Sequence, residues 1–283
     1  MKISFIDFWG SPKAFNPNNN FLINCIRKAK DNVQVVEPYE ADLIIYGEFG
    51  DSHRQYNCRK ICFIGENNRP TNRYNQAEYS LCSDYDDYNG RNFRIPLWYF
   101  YVDWFNVGSY DNPDWLIPLD YFDRPNPYSL KPKNKFCSIV FNSQFENRLD
   151  TIAKLSQYKT VDTYGASNRI ADGEHHKLEV ISDYKFSICY EGTIHPGWYT
   201  EKLIHSRIVG NIPIYHSDNE VWGLEFNPEC CINLKDFESI DALVQRVIEV
   251  DQNEILSQKI LNAPTFSKPP SIDHVVEFFG KVL

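Results

Sequence analysis

Short apolar runs alternate with helical segments in the first part of the chain. The run KISFIDFW begins it, and FLINCIRKA has the period of an amphipathic helix after three asparagines. The apolar runs VQVVE, ADLIIYGEFG and RKICFIGEN follow, closed by glycine or by polar and charged residues. Strands that alternate with helices or loops are typical of a parallel α/β sheet. We therefore predict an α/β domain at the start of the chain.

The pattern restarts in the second half, where apolar and amphipathic segments follow one another in strict order. We predict strands at KFCSIVFN, TVDTYG, FSICYE and NIPIYH, with helices at ENRLDTIAKLSQY, LEVISDY and TEKLIHSRIVG between them. Repeated βα units of this kind form a parallel sheet, whose ligands bind at the carboxyl ends of the strands. A second α/β domain is the expectation.

A Pro-rich segment over residues 113–132 separates the two patterns, and proline resists both helix and central strand. We therefore predict a first domain over 1–130 that ends in this linker and a second over 131–260. Residues 261–283 form a tail that ends in VVEFFGKVL, which we expect to be helical.

The net charge of −9 argues against a nucleic-acid partner or a general attraction to anionic membranes. No run of eighteen apolar residues occurs, so we predict a chain without a transmembrane segment. The expected location is the cytoplasm, or the chain is a soluble catalytic domain that lacks its anchor. Peripheral membrane contact and the oligomeric state stay open.

Two groups of potential metal ligands occur in the first half. Cys58 and Cys62 lie near His53 and Cys82, which permits a zinc site, and SDYDDY contains a DxD spacing that suits a divalent ion. We favour buried free thiols for the eight cysteines and a solvated loop for the acidic stretch. No metal is therefore predicted as a bound cofactor, although a divalent ion could stimulate activity.

The stretch YEGTIHPGWYTEK places several chemically active side chains in one turn. Thr200 is a plausible N-cap, which puts Glu201 and Lys202 in the first turn of a helix, where backbone N–H groups favour phosphate. Trp198 and Tyr199 offer flat faces to a base or a sugar. The alternative is an exposed helix start with aromatic residues that cover the core.

Three other junctions carry candidate residues. Glu66 follows a strand in FIGEN and could serve as a general base, or it could only bond nearby backbone groups. Asn142 ends a strand in FNSQFENR, and Arg148 follows on the next helix. Arg169 lies in the turn YGASNRIADG. Either arginine could hold a diphosphate, or could be an ordinary surface residue.

The second-half block FSICYEG…GWYTEKLIHSRIVGNIPIYHSD resembles the donor-binding signature of the α-1,3-fucosyltransferases, glycosyltransferase family 10, in a soluble bacterial form. In that signature a strand ending in Phe-Glu-Asn leads to Tyr-x-Thr-Glu-Lys. The block RKICFIGENNRPTNRYNQAEYSLCSDYDDYNGRNFRIPLWYF and the opening ISFIDFWG are similar to that family's Gly-Glu-Asn segment and first strand. The resemblance extends from about Lys2 to Phe237.

The resemblance implies two Rossmann-like domains that face each other across a cleft, the GT-B arrangement. It implies GDP-fucose as donor, a glycan acceptor on a protein or lipopolysaccharide, and inversion at the anomeric carbon. Glu66 then matches the general base, and Glu201 the second catalytic carboxylate. The implied donor-binding residues are Lys202, Arg169, Asn142, Arg148, Glu191, Trp198, Tyr199 and Thr200.

Two residues depart from the family pattern. Gly192 stands where the family has Asn, which removes a side-chain amide from the donor site, and Trp198 stands where Tyr is common. Because Gly192 could enlarge the pocket, a transferase for another GDP-linked 6-deoxyhexose is an alternative. A non-catalytic carbohydrate-binding protein is another, although a lectin needs neither a base nor a diphosphate-binding lysine.

Overall fold

The computed structural model describes residues 1–9, 15–69, 76–165, 168, 170, 173–218 and 220–283. The chain divides into two compact units, Met1–Pro118 together with Pro270–Leu283, and Leu119–Pro269. Each unit contains a parallel sheet, which confirms the predicted pair of α/β domains.

The strands in the described residues are β1 (Lys2–Ile6), β2 (Gln34–Val35), β3 (Leu43–Tyr46), β4 (Arg59–Phe63), β5 (Tyr79–Cys82), β6 (Asn92–Arg94), β7 (Lys135–Phe141), β8 (Val161–Gly165), β9 (Tyr184–Ile188), β10 (Ile212–Tyr215) and β11 (Ile232–Asn233). The α-helices there are α1 (Phe21–Ala29), α2 (Glu146–Leu155), α3 (Glu174–Ile181), α4 (Glu201–Ile208), α5 (Ile240–Gln252), α6 (Glu254–Asn262) and α7 (Asp273–Val282). None of these helices has the length and apolar character needed to cross a membrane.

The sheet of the first unit has the strand order β2-β1-β3-β4-β5-β6 over the described residues, with every pair parallel. All four residues of β3 are buried, as expected for a central strand covered on both faces. Helix α1 begins where the Asn20 side chain accepts a hydrogen bond from the N–H of Ile23 at 3.0 Å. Its apolar residues are buried, which fits the amphipathic period in the sequence.

The C-terminal residues belong to the first unit. The ring of Phe278 in α7 stacks on Phe93 of β6 at 4.3 Å, and Arg59 donates to the carbonyl of Val282 at 2.8 Å. The sequence predicted a helical tail over 261–283. The helix is present, but an apolar face at the end of the chain gives no indication of the unit on which it packs.

The sheet of the second unit has the described strand order β11-β10-β9-β7-β8, again with parallel pairs. Its core contains the apolar side chains of all five strands and of α5. Gly210 has φ +76° and donates its N–H to the carbonyl of Arg207 at 3.0 Å just after α4. Because the strands are parallel, the loops that lead into α2, α3 and α4 lie at the same edge of this sheet.

The Pro-rich segment is divided between the two units at Pro118. The sequence placed this boundary at residue 130. Asn126 donates from its side-chain amide to the carbonyl of Ile208 at 2.7 Å, and Ser129 lies 3.2 Å from the position of a Cβ at Gly210. These contacts fix residues after 118 to the second unit, where Leu119–Phe122 form a short 3-10 helix.

Candidate functional site

The end of β9 and the start of α4 are joined by Glu191. This side chain is 3% exposed and accepts a hydrogen bond from the backbone N–H of Thr200 at 2.9 Å. It also accepts from the hydroxyls of Thr200 at 2.8 Å and of Tyr215 at 3.0 Å. Tyr215 ends β10, so one carboxylate fixes two strand ends and a helix start. Both of its oxygens are therefore already in use, and a direct donor contact stays a prediction.

Thr200 occupies the N-cap position of α4, as the sequence predicted, but its side chain makes no hydrogen bond to the helix amides. Its hydroxyl is instead bonded to Glu191. The amide groups of the first turn of α4 are therefore not capped by Thr200. Uncapped N–H groups at the positive end of a helix favour a phosphate group.

Lys202 lies in that first turn, with its Nζ atom 3.4 Å from Oε2 of Glu191 and 3.0 Å from the hydroxyl of Thr200. Its side chain is 27% exposed. Burial by itself would lower the pKa of Lys202, but the carboxylates of Glu201 and Glu191 outweigh it and raise that pKa. Lys202 is therefore a fixed positive charge that a ligand can still reach.

Glu201 is held between two lysines. Lys177 of α3 donates from Nζ to Oε1 of Glu201 at 3.0 Å, and Lys202 lies 3.7 Å from the same oxygen. Burial would raise the pKa of Glu201, but the positive charges of Lys177 and Lys202 hold it well below its usual range. The carboxylate is therefore ionised at neutral pH.

His205 adds no charge to this cluster. Its Nδ1 atom lies 3.5 Å from Oε2 of Glu174, which itself lies 3.6 Å from Nζ of Lys177. Burial and the positive charge of Lys177 hold the pKa of His205 well below its usual range. The histidine is therefore neutral at pH 7, and Lys177 is the main counter-charge for Glu201.

Lys177 was not among the site residues predicted from the sequence. The available signal is topological, because Lys177 lies in the first turn of α3 and the first turn of α4 lies at the same edge of the sheet. A charged residue at such a position is a candidate for a ligand site. Which residue of the neighbouring helix it meets depends on how the helices pack.

Arg148 is buried and lies near Glu191, and its guanidinium donates to the carbonyls of Tyr190 at 2.6 Å and of Ser143 at 3.0 Å. Its Nε atom has no partner among the described residues. The surface alternative for Arg148 is therefore wrong, while its role toward a diphosphate stays a prediction. Asn142 is exposed just after β7. Arg169 lies outside the described residues.

Two aromatic residues lie differently from the prediction. Tyr199 is fully buried, donates its hydroxyl to Oδ2 of Asp218 at 2.8 Å and packs edge-on against Phe226. It therefore presents no flat face to a base or a sugar, because its own unit covers the ring. Trp198 is also buried, at 7% exposure. The alternative that these rings cover the core describes the structure better.

Glu66 is exposed in the first unit, three residues after the end of β4. Its backbone N–H donates to Oε1 of Glu48 at 2.8 Å, and the indole Nε1 of Trp9 lies 3.5 Å from its carboxylate. A Cβ on Gly65 would lie 2.6 Å from the Trp9 ring, so that position requires glycine. The Glu66 carboxylate is thus positioned beside an indole, with a face open to a ligand.

The potential metal ligands of the first half have other partners. His53 bonds through one ring nitrogen to Asp7 at 2.8 Å and through the other to Gln76 at 2.6 Å. Asp84 is buried and forms an ion pair with Arg69, so the solvated-loop interpretation is wrong for this residue. All eight cysteines are free thiols and seven are buried, as predicted. No cluster of three metal-ligating side chains occurs in the described part of the chain.

Comparison with protein families gives matches over both units. Residues 3–101 match the family model of the alpha-(1,3)-fucosyltransferase FucT N-terminal domain. Residues 130–261 match the C-terminal model of glycosyltransferase family 10, the fucosyltransferases. The chain belongs to glycosyltransferase family 10. This confirms the resemblance drawn from the two sequence blocks, and it places the Glu191 to Lys202 segment inside the family's C-terminal domain.

Curated relatives of this family 10 chain carry fucosyltransferase names. It is 31% identical over 162 residues to a putative fucosyltransferase of Acanthamoeba polyphaga mimivirus, covering 52% of this chain and 27% of the relative. It is 25% identical over 275 residues to the alpha-(1,3)-fucosyltransferase FucT of Helicobacter pylori, covering 87% of this chain and 56% of the relative. The chain thus spans less than two thirds of the length of these relatives.

Among solved structures, the chain is similar to an alpha1,3-fucosyltransferase crystallised with GDP-fucose. The TM-score is 0.74 at 22% sequence identity, and the match covers 99% of this chain and 89% of the other. A likeness at this identity shows a shared fold.

Proposed function

We propose that this chain is an inverting, GT-B-type fucosyltransferase that moves L-fucose from GDP-fucose to a hydroxyl of an N-acetylglucosamine-type residue in an α-1,3 linkage. The observation that carries the proposal is the charged group at the start of α4. Lys202 and Glu201 occupy the first helical turn there, fixed by Glu191 and Lys177, inside the region that matches the fucosyltransferase family.

The donor diphosphate would bind at the first turn of α4. Lys202 supplies a charge-assisted contact there, and the amides that Thr200 leaves uncapped supply further donors. A phosphate oxygen would compete with Glu191 for the Lys202 ammonium, which lies 3.4 Å from that carboxylate. Arg169 would add a second cation. Glu201 would accept hydrogen bonds from donor hydroxyls or stabilise positive charge that develops on the fucosyl ring.

The reaction would be a single displacement. The acceptor hydroxyl gives its proton to Glu66 while its oxygen bonds to the anomeric carbon, and the bond from that carbon to the GDP oxygen breaks. GDP leaves with the bonding electron pair, and Lys202 stabilises the added negative charge. Glu66 lies in the first unit and Lys202 in the second.

We propose that transfer needs no resident metal ion. Lys202, Arg169 and the amides of α4 would carry the positive charge that the leaving diphosphate requires. A divalent ion would at most stimulate the reaction.

A donor and acceptor screen with GDP release as the readout tests the proposal. GDP-fucose, a second GDP-linked 6-deoxyhexose, GDP-mannose and UDP-sugars would be offered over a panel of N-acetyllactosamine-type glycans, with UDP release measured for the UDP-sugars. We expect GDP release only when GDP-fucose and an acceptor are both present. Turnover with another GDP-linked 6-deoxyhexose in place of GDP-fucose would support the alternative donor.

Thermal unfolding separates the enzyme from a carbohydrate-binding protein. A ligand that binds only the folded state raises the melting temperature. Saturating GDP should therefore stabilise a transferase, whereas a lectin should respond only to glycan. A melting temperature that GDP leaves unchanged would contradict the proposed function.

A further inference from the structure

Gly192, which follows the buried Glu191, departs from the family pattern, and its backbone does not require glycine. Its φ lies outside the left-handed range, in contrast to Gly197 and Gly210 at +91° and +76°. An L-residue could adopt this conformation without strain. The backbone conformation therefore gives no reason for glycine at this position, and the remaining structural constraint is the space around it.

That space is limited by Phe145. A Cβ built on Gly192 would lie 3.3 Å from Cε2 and 3.6 Å from Cζ of the Phe145 ring, and apart from the adjacent residues no other atom in the described part of the chain comes within 4 Å. Any side chain at 192 would thus meet the Phe145 ring at its first carbon, and the ring would have to move by a few tenths of an ångström. The ring lies directly beside the place where the family's amide side chain would begin.

The ring is fixed on one side and open on another. Phe145 directly precedes α2, and the guanidinium carbon of Arg148 lies 5.0 Å from the ring centroid. Arg148 is 4% exposed and is itself held by the carbonyls of Tyr190 and Ser143. Even so, Phe145 is 39% exposed. A large apolar ring that is held in place at a strand edge but left partly open is suited to contact with a flat ligand.

We propose that Phe145 is the surface on which the nucleobase of the donor stacks, and that the residue at 192 must be glycine for this ring to take its position. The inference rests on the proposed function, because it assumes that the donor is a guanine nucleotide. A purine offers a flat π-face that matches a phenyl ring, whereas the hydroxyls of a sugar need hydrogen bonds that Phe145 does not supply.

Titration calorimetry with GDP on the full chain tests the stacking contact. We expect Phe145→Ala to weaken GDP binding by about tenfold, as for the loss of one base–aromatic stack. Phe145→Tyr keeps a flat ring and should bind within about twofold of the wild type, while Phe145→Leu keeps only apolar bulk and should resemble Ala. Unchanged affinity in Phe145→Ala would overturn the proposal. The proposal would also be overturned if Phe145→Ala raised the KM for GDP-fucose without weakening GDP binding, since the ring would then face the sugar.

A double-mutant cycle tests whether a side chain at 192 and the Phe145 ring exclude each other from the same space. Gly192→Asn should weaken GDP binding about as much as Phe145→Ala, because the new side chain displaces the ring. In the Phe145→Ala background the same change should cost nothing more, so the two losses should not add. Gly192→Ala should have a smaller effect, since its Cβ requires only a slight movement of the ring. Additive losses would overturn the exclusion.

These results are separable from a failure of the proposed function. Melting temperatures of the Phe145 variants without ligand should be close to that of the wild type, because Phe145 is partly exposed. A folded wild-type chain that does not bind GDP would refute the proposed function itself. GDP binding that is indifferent to Phe145 would refute only the stacking contact.

Discussion

Lys177 donates a hydrogen bond from Nζ to Oε1 of Glu201 at 3.0 Å, which joins the first turn of α3 to the first turn of α4. The Glu201 side chain is only 12% exposed, so its charge depends on nearby cations. Lys177 is thus a positioning residue for the carboxylate that is proposed to act on the fucosyl ring.

We expect Lys177→Met to lower kcat by about tenfold or more, since a charge-assisted hydrogen bond is worth roughly 1.5–3 kcal/mol. Without Lys177, burial is less well offset and the pKa of Glu201 rises. Ionised Glu201 contributes to the stability of the folded state at pH values above its lowered pKa. In the variant, part of this contribution is lost at neutral pH. The acid limb of the kcat profile should therefore move to higher pH, which pH-dependent initial rates would measure.

Lys177→Arg should restore most of the rate, since it keeps the charge. Lys131→Met is the matched control, because Lys131 forms an ion pair with Glu179 of the same helix α3. Its kcat and pH profile should not change. An acid limb that does not move in Lys177→Met would show that Lys177 has only a structural role.

Lys202→Ala should weaken GDP binding by about tenfold, as expected for the loss of a charge-assisted phosphate contact. Titration calorimetry at two salt concentrations would measure this, and the wild-type affinity should fall more steeply with salt than that of the variant. Lys159→Ala is the control, because Lys159 pairs with Asp251 instead. Equal GDP affinity in Lys202→Ala and the wild type would refute the phosphate contact.

Glu66→Gln should lower the rate of transfer by about a hundredfold or more, because the amide cannot take up the proton of the acceptor hydroxyl. GDP affinity should stay within about twofold, since the base does not contact the nucleotide. Glu48→Gln provides a neighbouring control, because the amide oxygen can still accept the N–H of Glu66. Full transfer activity in Glu66→Gln would remove Glu66 as the base.

Glu191→Ala should destabilise the second unit by about 3 kcal/mol, since it leaves buried hydroxyl and backbone donors without an acceptor. Urea unfolding followed by fluorescence would show a lower midpoint. The exposed Glu238 offers a comparison, and its Ala variant should change stability by less than about 0.5 kcal/mol. A Glu191→Ala midpoint equal to that of the wild type would contradict the structural role of this carboxylate.

Treatment with EDTA should leave transfer activity within about twofold of the untreated value, because protein groups neutralise the leaving diphosphate. Initial rates with and without added Mn²⁺ or Mg²⁺ would measure this. Complete loss of activity that only a metal restores would overturn the metal-free proposal.

Several features of the site followed from the sequence because they depend on local order. The helix that starts at Glu201 and the glycine that follows it are encoded in adjacent residues. The sequence also placed Lys202 in the first helical turn. In contrast, the sequence predicted that Tyr199 contacts a ligand, whereas the ring is buried. An aromatic residue in a loop gives no indication of whether its own domain will cover it.

The sequence by itself determined the two α/β patterns, most of the strands and helices, and the family, because apolar periodicity and motif order are properties of neighbouring residues. Tertiary structure alone decided that α7 joins the first unit, that Lys177 meets Glu201, and that the Phe145 ring fills the space beside Gly192. Each of these contacts joins side chains from separate elements. Their meeting depends on how helices and loops pack around the sheets, which the local pattern does not specify.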